Sequence, residues 1–242
     1  MVGPEGLRRL REAHVAVIGL GAVGSYATEA LARAGVGRLR LVDFDDIRAS
    51  NINRQLYALE STVGRPKVEV AAERVRDINP ACNGEALRLF VHQETLDEAL
   101  AGPPDLTLDC IDSLAPKLEL LSALVERGLP ALTCMGAALR TEPWRVRVGL
   151  LSEVTVCPLA RRLKKGLRKR GLSTDIPCVH SDEPVDRAMV REPEESGEEG
   201  PRVRGRARRT LGSLPTLTGI FGLTMANEAL RMILGDQWPR QG

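Results

Sequence analysis

Three glycines in one short turn are the first residues that could do chemistry. Gly19, Gly21 and Gly24 form a G-x-G-x-x-G run, which lets the chain turn sharply and lets backbone N–H groups approach a phosphate or ribose. Asp43 follows about twenty residues later, where a carboxylate accepts hydrogen bonds from ribose hydroxyls. These residues predict a nucleotide in a Rossmann-type crevice. They do not distinguish NAD, FAD, S-adenosylmethionine and ATP.

A second set of polar residues favours a nucleoside triphosphate. Arg54 and Lys67 are two cations that follow Asp43, and Asp112 stands where a later apolar run ends. A triphosphate tail carries several negative charges, which cations and a metal ion offset in the transition state. A dinucleotide dehydrogenase has no need for such a set beyond the ribose. The residues therefore favour phosphoryl chemistry over hydride transfer.

Short apolar runs alternate with helical segments along the first part of the chain. The pattern predicts strands at 15–18, 38–44, 85–91, 106–111 and 130–134, and helices at 7–12, 25–34, 67–78 and 116–127. Such alternation predicts an α/β Rossmann-like fold with a mostly parallel sheet and helices on both faces. Parallel strands deliver their carboxyl ends to one crevice, so Asp112 can face the nucleotide although it lies far from Gly19 in sequence.

The character of the sequence changes after Trp144. A one-sided strand at 145–151 and a late helix at 215–234 predict a C-terminal strand and helix extension. We assign 1–140 to an ATP-binding domain and 141–242 to a substrate-binding and dimerising extension of the same fold. Between 186 and 210 a Glu-rich run precedes an Arg-rich run, which predicts a mobile surface loop.

The bulk composition is that of an ordinary soluble protein. The formal charge is +2, so overall charge says little about partners. Five cysteines without C-x-x-C spacing give no sign of a structural zinc site. We expect reduced thiols in the cytoplasm, because the count is odd and no signal peptide is visible. The apolar stretch 211–234 carries Glu228 and Arg231, which favour an amphipathic helix over a membrane span.

The segment from His14 to about Ala137 resembles the ubiquitin-activating-enzyme-like superfamily, which includes the ThiF/MoeB/HesA-type activating enzymes. The resemblance rests on five marks that occur in order. They are the glycine-rich turn, the strand-end Asp43, an N-x-N-R-Q run at 51–55, the G-x-x-K lysine Lys67 and a D-x-x-D strand end at 109–112.

The resemblance implies an enzyme that uses ATP to adenylate a carboxylate. Asp43 would hold the ribose, Arg54 and Lys67 would bind the phosphates and stabilise charge at the α-phosphate, and Asp112 would hold Mg²⁺. The candidate catalytic residues are thus Arg54, Lys67 and Asp112. The candidate nucleotide-binding residues are Gly19, Gly21, Gly24, Asp43, Asp45, Asn53, Arg54, Gln55, Lys67, Asp112 and Ser113. Asn51 could instead cap a turn, and we interpret Asp109 as a structural hydrogen-bonding residue.

Within the superfamily, the chain is most similar to the branch of tRNA threonylcarbamoyladenosine dehydratases. This similarity rests on Asn51-x-Asn53-Arg54-Gln55, Ile78-Asn79-Pro80, Asp109-x-Ile111-Asp112-Ser113 with Lys117, Pro158-Leu159-Ala160 before a basic helix, and Cys178-Val179-x-Ser181. It implies a homodimer that activates the carboxylate of threonylcarbamoyladenosine in tRNA, which then cyclises with loss of water. The alternative is activation of the C-terminal glycine of a ubiquitin-like sulfur-carrier protein. A third hypothesis is an NAD-binding or purely interacting Rossmann protein.

A basic stretch gives separate support for an RNA partner. Seven cations fall between 161 and 170, and clustered cations suit a phosphate backbone, although a solvated helix face is the alternative. Cys178 is interpreted as an ordinary thiol, since a reactive thiolate needs nearby cations or a helix N-terminus. We expect the N-terminal arm of relatives to be missing here, with Arg8, Arg9 or Arg11 replacing it or its contribution lost.

Overall fold

A computed structural model describes residues 1–185 and 211–239. Its seven strands are β1 (His14–Ile18), β2 (Arg38–Asp43), β3 (Asn83–Arg88), β4 (Leu106–Asp109), β5 (Ala131–Cys134), β6 (Val146–Leu150) and β7 (Pro177–Ser181). They form one sheet in the order β3-β2-β1-β4-β5-β7-β6. All neighbouring pairs are parallel except β6 and β7, which are antiparallel. The predicted mostly parallel α/β sheet is confirmed.

Helices cover both faces of this sheet. They are α1 (Gly3–Glu12), α2 (Gly24–Ala34), α3 (Lys67–Ile78), α4 (Leu96–Ala99), α5 (Leu114–Glu126), α6 (Pro158–Lys169) and α7 (Pro215–Leu234). Core residues from α1, α2, α3 and α7 pack on one face, and core residues from α4, α5 and α6 pack on the other. Every residue of β1 is buried, as expected for a central strand covered on both sides.

The order of strands fixes where a ligand can bind. From β1 the chain passes to β2 on one side of the sheet, and it later places β4 on the other side of β1. The helices that follow β1 and β4 therefore lie on opposite faces, and the carboxyl ends of these two strands open a crevice between them. The glycine-rich turn follows β1, and Asp112 follows β4.

One predicted strand had the wrong bounds, and two elements were not predicted. The third strand spans Asn83–Arg88 rather than 85–91, because it starts opposite Arg38 in the parallel register with β2 and ends opposite Asp43. We did not predict the short helix α4 at Leu96–Ala99 or the strand β7 at Pro177–Ser181. The predicted loop 186–210 lies outside the described residues. In the described part, no helix has the length and apolar character needed to cross a membrane.

Candidate nucleotide-binding site

The glycine-rich turn needs two of its glycines for its own shape. Gly19 has a φ of 94°, in the left-handed region that other residues rarely adopt. A Cβ on Gly24 would lie 1.8 Å from the carbonyl oxygen of Gly19, so no side chain fits there. Gly21 differs, because a Cβ on it would meet only Gln55 Nε2, at 3.8 Å. Gly19 and Gly24 therefore shape the turn, and Gly21 leaves open space beside Gln55.

Asp43 ends β2 as a fixed hydrogen-bond acceptor. Its Oδ2 accepts from the backbone N–H of Leu20 at 2.7 Å, and its Oδ1 accepts from the backbone N–H of Asp45 at 2.9 Å. Burial raises the pKa of this carboxyl, and the nearby Lys67 ammonium opposes that effect. The first contact ties the end of β2 to the glycine turn after β1. Asp43 is thus held at the crevice in the position predicted for a ribose ligand.

Lys67 is buried beside two carboxylates. Its side chain is 6% exposed, and its Nζ lies 3.2 Å from Asp45 Oδ2 and 3.9 Å from Asp43 Oδ2. Its backbone N–H donates to the Asp45 carbonyl at 3.1 Å, which fixes the first residue of α3 against the loop after β2. The structure therefore brings Asp43, Asp45 and Lys67 together. The two carboxylates hold the buried Lys67 side chain in place.

The segment 51–55 is a compact turn. Asn51 accepts from the backbone N–H of Arg48 through its Oδ1 at 3.1 Å, which is the capping role weighed above. Arg54 donates from Nη1 to the carbonyl of Ser50 at 2.9 Å and to Asn53 Oδ1 at 2.8 Å. Gln55 is buried and points to Gly21. The turn thus joins Asn53 to Arg54 and places Gln55 over the glycine-rich turn.

A buried ion pair supports the end of β4. Asp109 and Lys117 are both fully buried, and Lys117 Nζ lies 2.7 Å from Asp109 Oδ2. The hydroxyl of Thr133 on β5 donates to the same oxygen at 2.7 Å. Lys117 also donates to the carbonyl of Ile111 at 2.9 Å. Asp109 is therefore structural, as expected, and Lys117 shapes the loop before α5, a role that the sequence analysis did not assign.

Asp112 lies outside this buried pair. It is exposed, it precedes α5, and the hydroxyl of Ser113 donates to its Oδ1 at 3.2 Å. In the described part of the chain, no cluster of three or more His, Cys, Asp or Glu could hold a metal ion. One accessible carboxylate still fits Mg²⁺, which often binds through one or two carboxylates, waters and the phosphates of a substrate.

Most of the predicted residues thus fall into four local groups, in segments that follow β1, β2 and β4. The groups are Asp43 with Asp45 and Lys67, Gly21 with Gln55, Asn53 with Arg54, and Asp112 with Ser113. That Arg54, Lys67 and Asp112 meet around one ligand stays a prediction.

Arg140 is a cation near this edge that the sequence analysis missed. It lies in the loop after β5 and is 2% exposed, and its Nε and Nη1 have no hydrogen-bond partner among the described residues. Burial lowers the pKa of its guanidinium. Leu139, just before it, has a φ of 60°, which a bulky side chain rarely adopts. No motif marks this position, so nothing in the sequence pointed to it.

Cys178 is buried on β7, and burial raises the pKa of its thiol. A raised pKa keeps sulfur in the unreactive thiol form, which supports the interpretation of Cys178 as an ordinary thiol.

The chain matches the model of the ThiF family along residues 1–241. It is 38% identical over 237 residues to the tRNA threonylcarbamoyladenosine dehydratase of Bacillus subtilis, covering 97% of this chain and 92% of that protein. It is 37% identical over 238 residues to the molybdopterin-synthase adenylyltransferase of Escherichia coli, covering 98% of this chain and 80% of that protein. The crystal structure of the E. coli tRNA N6-threonylcarbamoyladenosine dehydratase in complex with ATP aligns with a TM-score of 0.83 at 30% identity, over 97% of this chain and 90% of that one. With this match along nearly its whole length, and with the strand-end and glycine-turn geometry described above, the chain belongs to the ThiF family.

Proposed function

We propose that this protein adenylates the carboxylate of threonylcarbamoyladenosine in tRNA with ATP, which leads to cyclisation with loss of water. The observation that carries the proposal is the pairing of Asp43 and Lys67 at the crevice between β1 and β4, next to the open space at Gly21. This site lies in a chain that resembles a dehydratase of that name over 97% of its length.

The adenosine half of ATP fits the β2 side of the crevice. Asp43 already accepts one backbone N–H on each carboxylate oxygen, which leaves lone pairs for ribose hydroxyls. The free space at Gly21 lets backbone N–H groups approach the first phosphate. Gln55 borders that space, so its side-chain amide orders the nucleotide there.

The phosphates then extend towards the β4 side. Arg54 and Lys67 supply the two positive charges, and Asp112 with Ser113 would hold Mg²⁺, which supplies further charge neutralisation when bound. Lys67 is held by Asp43 and Asp45, so its ammonium is fixed before the substrate arrives. A preorganised cation costs little reorganisation when negative charge develops in the transition state.

The proposed reaction has two steps, adenylation and cyclisation. A carboxylate oxygen of the modified base attacks the α-phosphorus of ATP, and the bond from that phosphorus to pyrophosphate breaks. Arg54 and Lys67 stabilise the charge on the departing pyrophosphate. A group of the same nucleoside then attacks the activated acyl carbon and releases its proton to solvent, the bond from that carbon to the AMP oxygen breaks, and AMP leaves with one former carboxyl oxygen. The nucleoside thereby loses the elements of water.

A second candidate is activation of the C-terminal glycine of a ubiquitin-like sulfur-carrier protein. The observation in its favour is the similarity to an adenylyltransferase of molybdopterin synthase over 98% of this chain. Both reactions adenylate a carboxylate and use the same nucleotide site. They differ in the molecule that carries the carboxylate.

An assay of ATP consumption with matched substrates separates the two candidates. We expect AMP and pyrophosphate to form with threonylcarbamoylated tRNA, and mass spectrometry to show that the nucleoside has lost one water. The same tRNA without the threonylcarbamoyl group is the control and should give no AMP. AMP formation with a sulfur-carrier protein and none with modified tRNA would instead establish the second candidate.

We also propose a cytoplasmic homodimer, as the family resemblance implies. The edge strand β6 and Trp144 just before it, which is 84% exposed among the described residues, support a subunit contact there, because sheet edges are prone to pairing.

A further inference from the structure

A basic groove runs along α6, away from the residues assigned to the nucleotide. Its volume is about 660 Å³, and it is lined by Val154, Thr155, Arg161, Lys164, Lys165, Arg168 and Lys169. We call this surface the α6 groove. Five of its seven lining residues are cations, and no Asp or Glu occurs in the sequence between Glu153 and Asp175.

The cations of the groove share one side of the helix. Arg161, Lys165 and Lys169 are spaced four residues apart, and residues at this spacing lie one above another. They extend over roughly 12 Å of helix axis at the usual rise per residue. The other side of α6 is in the core, where Leu163 and Leu167 are buried. The groove is therefore a continuous positive stripe on the outside of the fold.

These cations lack acidic partners within the described residues. No side chain of α6 forms an ion pair in that part of the chain, whereas arginines elsewhere, such as Arg74 and Arg145, pair with acids. Lys164 is used internally, since its Nζ donates to the carbonyls of Ser152 and Val154 at 3.0 and 2.7 Å. Arg161, Lys165, Arg168 and Lys169 are exposed. Four uncompensated charges in one groove suit a polyanion.

The direction of α6 connects the groove to the catalytic edge. Arg170 Nη1 donates to Ser122 Oγ on α5 at 2.9 Å, and Gly166 packs against Leu118 on the same helix. In each pair the two residues are 48 positions apart in sequence. Because this offset is the same four residues further along, the two helices run side by side in the same direction. Since α5 begins just after Asp112, α6 also begins at the carboxyl edge of the sheet. The positive stripe therefore begins near the carboxyl edge, where the substrate carboxylate must react, and runs away from that edge.

We propose that the α6 groove binds the phosphate backbone of tRNA and orients it towards the carboxyl edge. This inference rests on the proposed function, because it assigns a surface to the RNA of that reaction. Arg161, Lys165, Arg168 and Lys169 contact phosphates, which fix position without reading base sequence. Contacts of this kind release counterions, so binding weakens steeply as salt rises.

The test is tRNA binding by a double variant, Lys165→Gln with Arg168→Gln. Both side chains are exposed, so we expect the variant to fold. Fluorescence anisotropy over a series of KCl concentrations should show affinity reduced on the order of tenfold at physiological salt, and a salt slope that is shallower by about 1.5. ATP affinity, measured by calorimetry, should not change, because the groove lies outside the nucleotide site.

A matched control is the double variant Arg33→Gln with Arg76→Gln. It removes the same charge from exposed arginines on α2 and α3, which cover the opposite face of the sheet. It should keep the affinity and salt slope of the unmodified protein. Equal effects of the two double variants, or no effect of the α6 variant, would overturn the proposal.

The binding curves also separate this proposal from the proposed function. If threonylcarbamoylated tRNA fails to stimulate ATP consumption, the proposed function fails, but a selective loss of tRNA binding in the α6 variant still supports the groove. A protein that binds no tRNA, and whose α6 variant loses activation of a sulfur-carrier protein, would overturn the RNA assignment and identify an acidic protein as the occupant.

Discussion

At the scale of single residues, the three glycines of the turn have different tasks. Gly19 and Gly24 are required by backbone geometry, whereas Gly21 has no steric need to be glycine in the protein alone. Its lack of a side chain makes sense when a ligand fills the space beside it. The packing around these glycines therefore supports nucleotide binding next to Gly21.

Changing these glycines separately should separate folding from binding. Gly24→Ala should destabilise the protein by about 3 kcal/mol or more, because its methyl group cannot coexist with the Gly19 carbonyl. That loss corresponds to a fall in Tm of roughly 6 to 12 °C. Gly21→Ala should keep the Tm and weaken ATP binding on the order of tenfold. Thermal unfolding and calorimetry measure the two effects. A Gly21→Ala variant that binds ATP normally would place the nucleotide elsewhere.

The sequence indicated where candidate residues stand relative to the strands better than it indicated the contacts that hold their side chains. Asp43 could be placed, because a strand-end acid after a glycine-rich turn follows a known spacing. The burial of Lys67 between Asp43 and Asp45 could not, because it depends on how the loop after β2 folds back onto α3. Arg140 could not be found either, since its burial follows from the path of a loop without a motif.

At the scale of elements, the pair Asp109 and Lys117 connects β4 to α5. The Asp109 carboxylate also accepts a hydrogen bond from the hydroxyl of Thr133, which links β5 to the same pair. Asp112 stands between the two partners in sequence. The buried pair therefore fixes the loop that presents the proposed metal ligand.

Breaking this pair from one side should be costly. Lys117→Met leaves Asp109 buried without a counter-charge and should lower the free energy of unfolding by about 3 to 5 kcal/mol. The double variant Asp109→Asn with Lys117→Met removes both charges, so it should lose less than Lys117→Met alone. Chemical denaturation of the wild type, both single variants and the double variant gives the coupling energy. Additive losses would show that the two side chains do not stabilise each other.

There are physical reasons why β7 and the bounds of β3 could not be predicted from the sequence. β7 is short and lies beside β5 and β6, so its extended shape depends on pairing with strands that are distant in sequence. The bounds of β3 are set by its register with β2, which local hydrophobicity does not determine. The alternating first part of the chain was easier, because buried parallel strands are short and wholly apolar.

At the scale of the whole molecule, one sheet carries both predicted parts of the chain. β6 and β7 extend the sheet that forms the crevice, so the later part of the chain continues the same fold and does not form a separate sheet. The sheet ends in β6, with Trp144 84% exposed and Val148 45% exposed. Large exposed apolar side chains at a sheet edge are typical of subunit contacts.

Trp144→Lys should therefore shift a homodimer to monomers. A charged side chain at the centre of an apolar contact is desolvated without a partner, which weakens association. Sedimentation equilibrium at several protein concentrations measures the effect. Leu7→Lys is the matched control, because Leu7 is an exposed apolar residue on α1, outside the β6 edge. A wild-type monomer, or a dimer that Trp144→Lys leaves intact, would contradict the proposed contact.

The most direct test of the account is ATP–pyrophosphate exchange with threonylcarbamoylated tRNA. We expect exchange by the wild type that depends on the modified tRNA. We also expect a loss of at least about a hundredfold in Arg54→Ala and in Asp112→Ala, since removing one group that stabilises transition-state charge commonly costs that much. Both variants should keep the wild-type Tm, because the hydrogen bonds that Arg54 makes to described residues lie within its own turn and Asp112 is exposed. Full exchange by either folded variant would contradict the claim that these residues share one triphosphate.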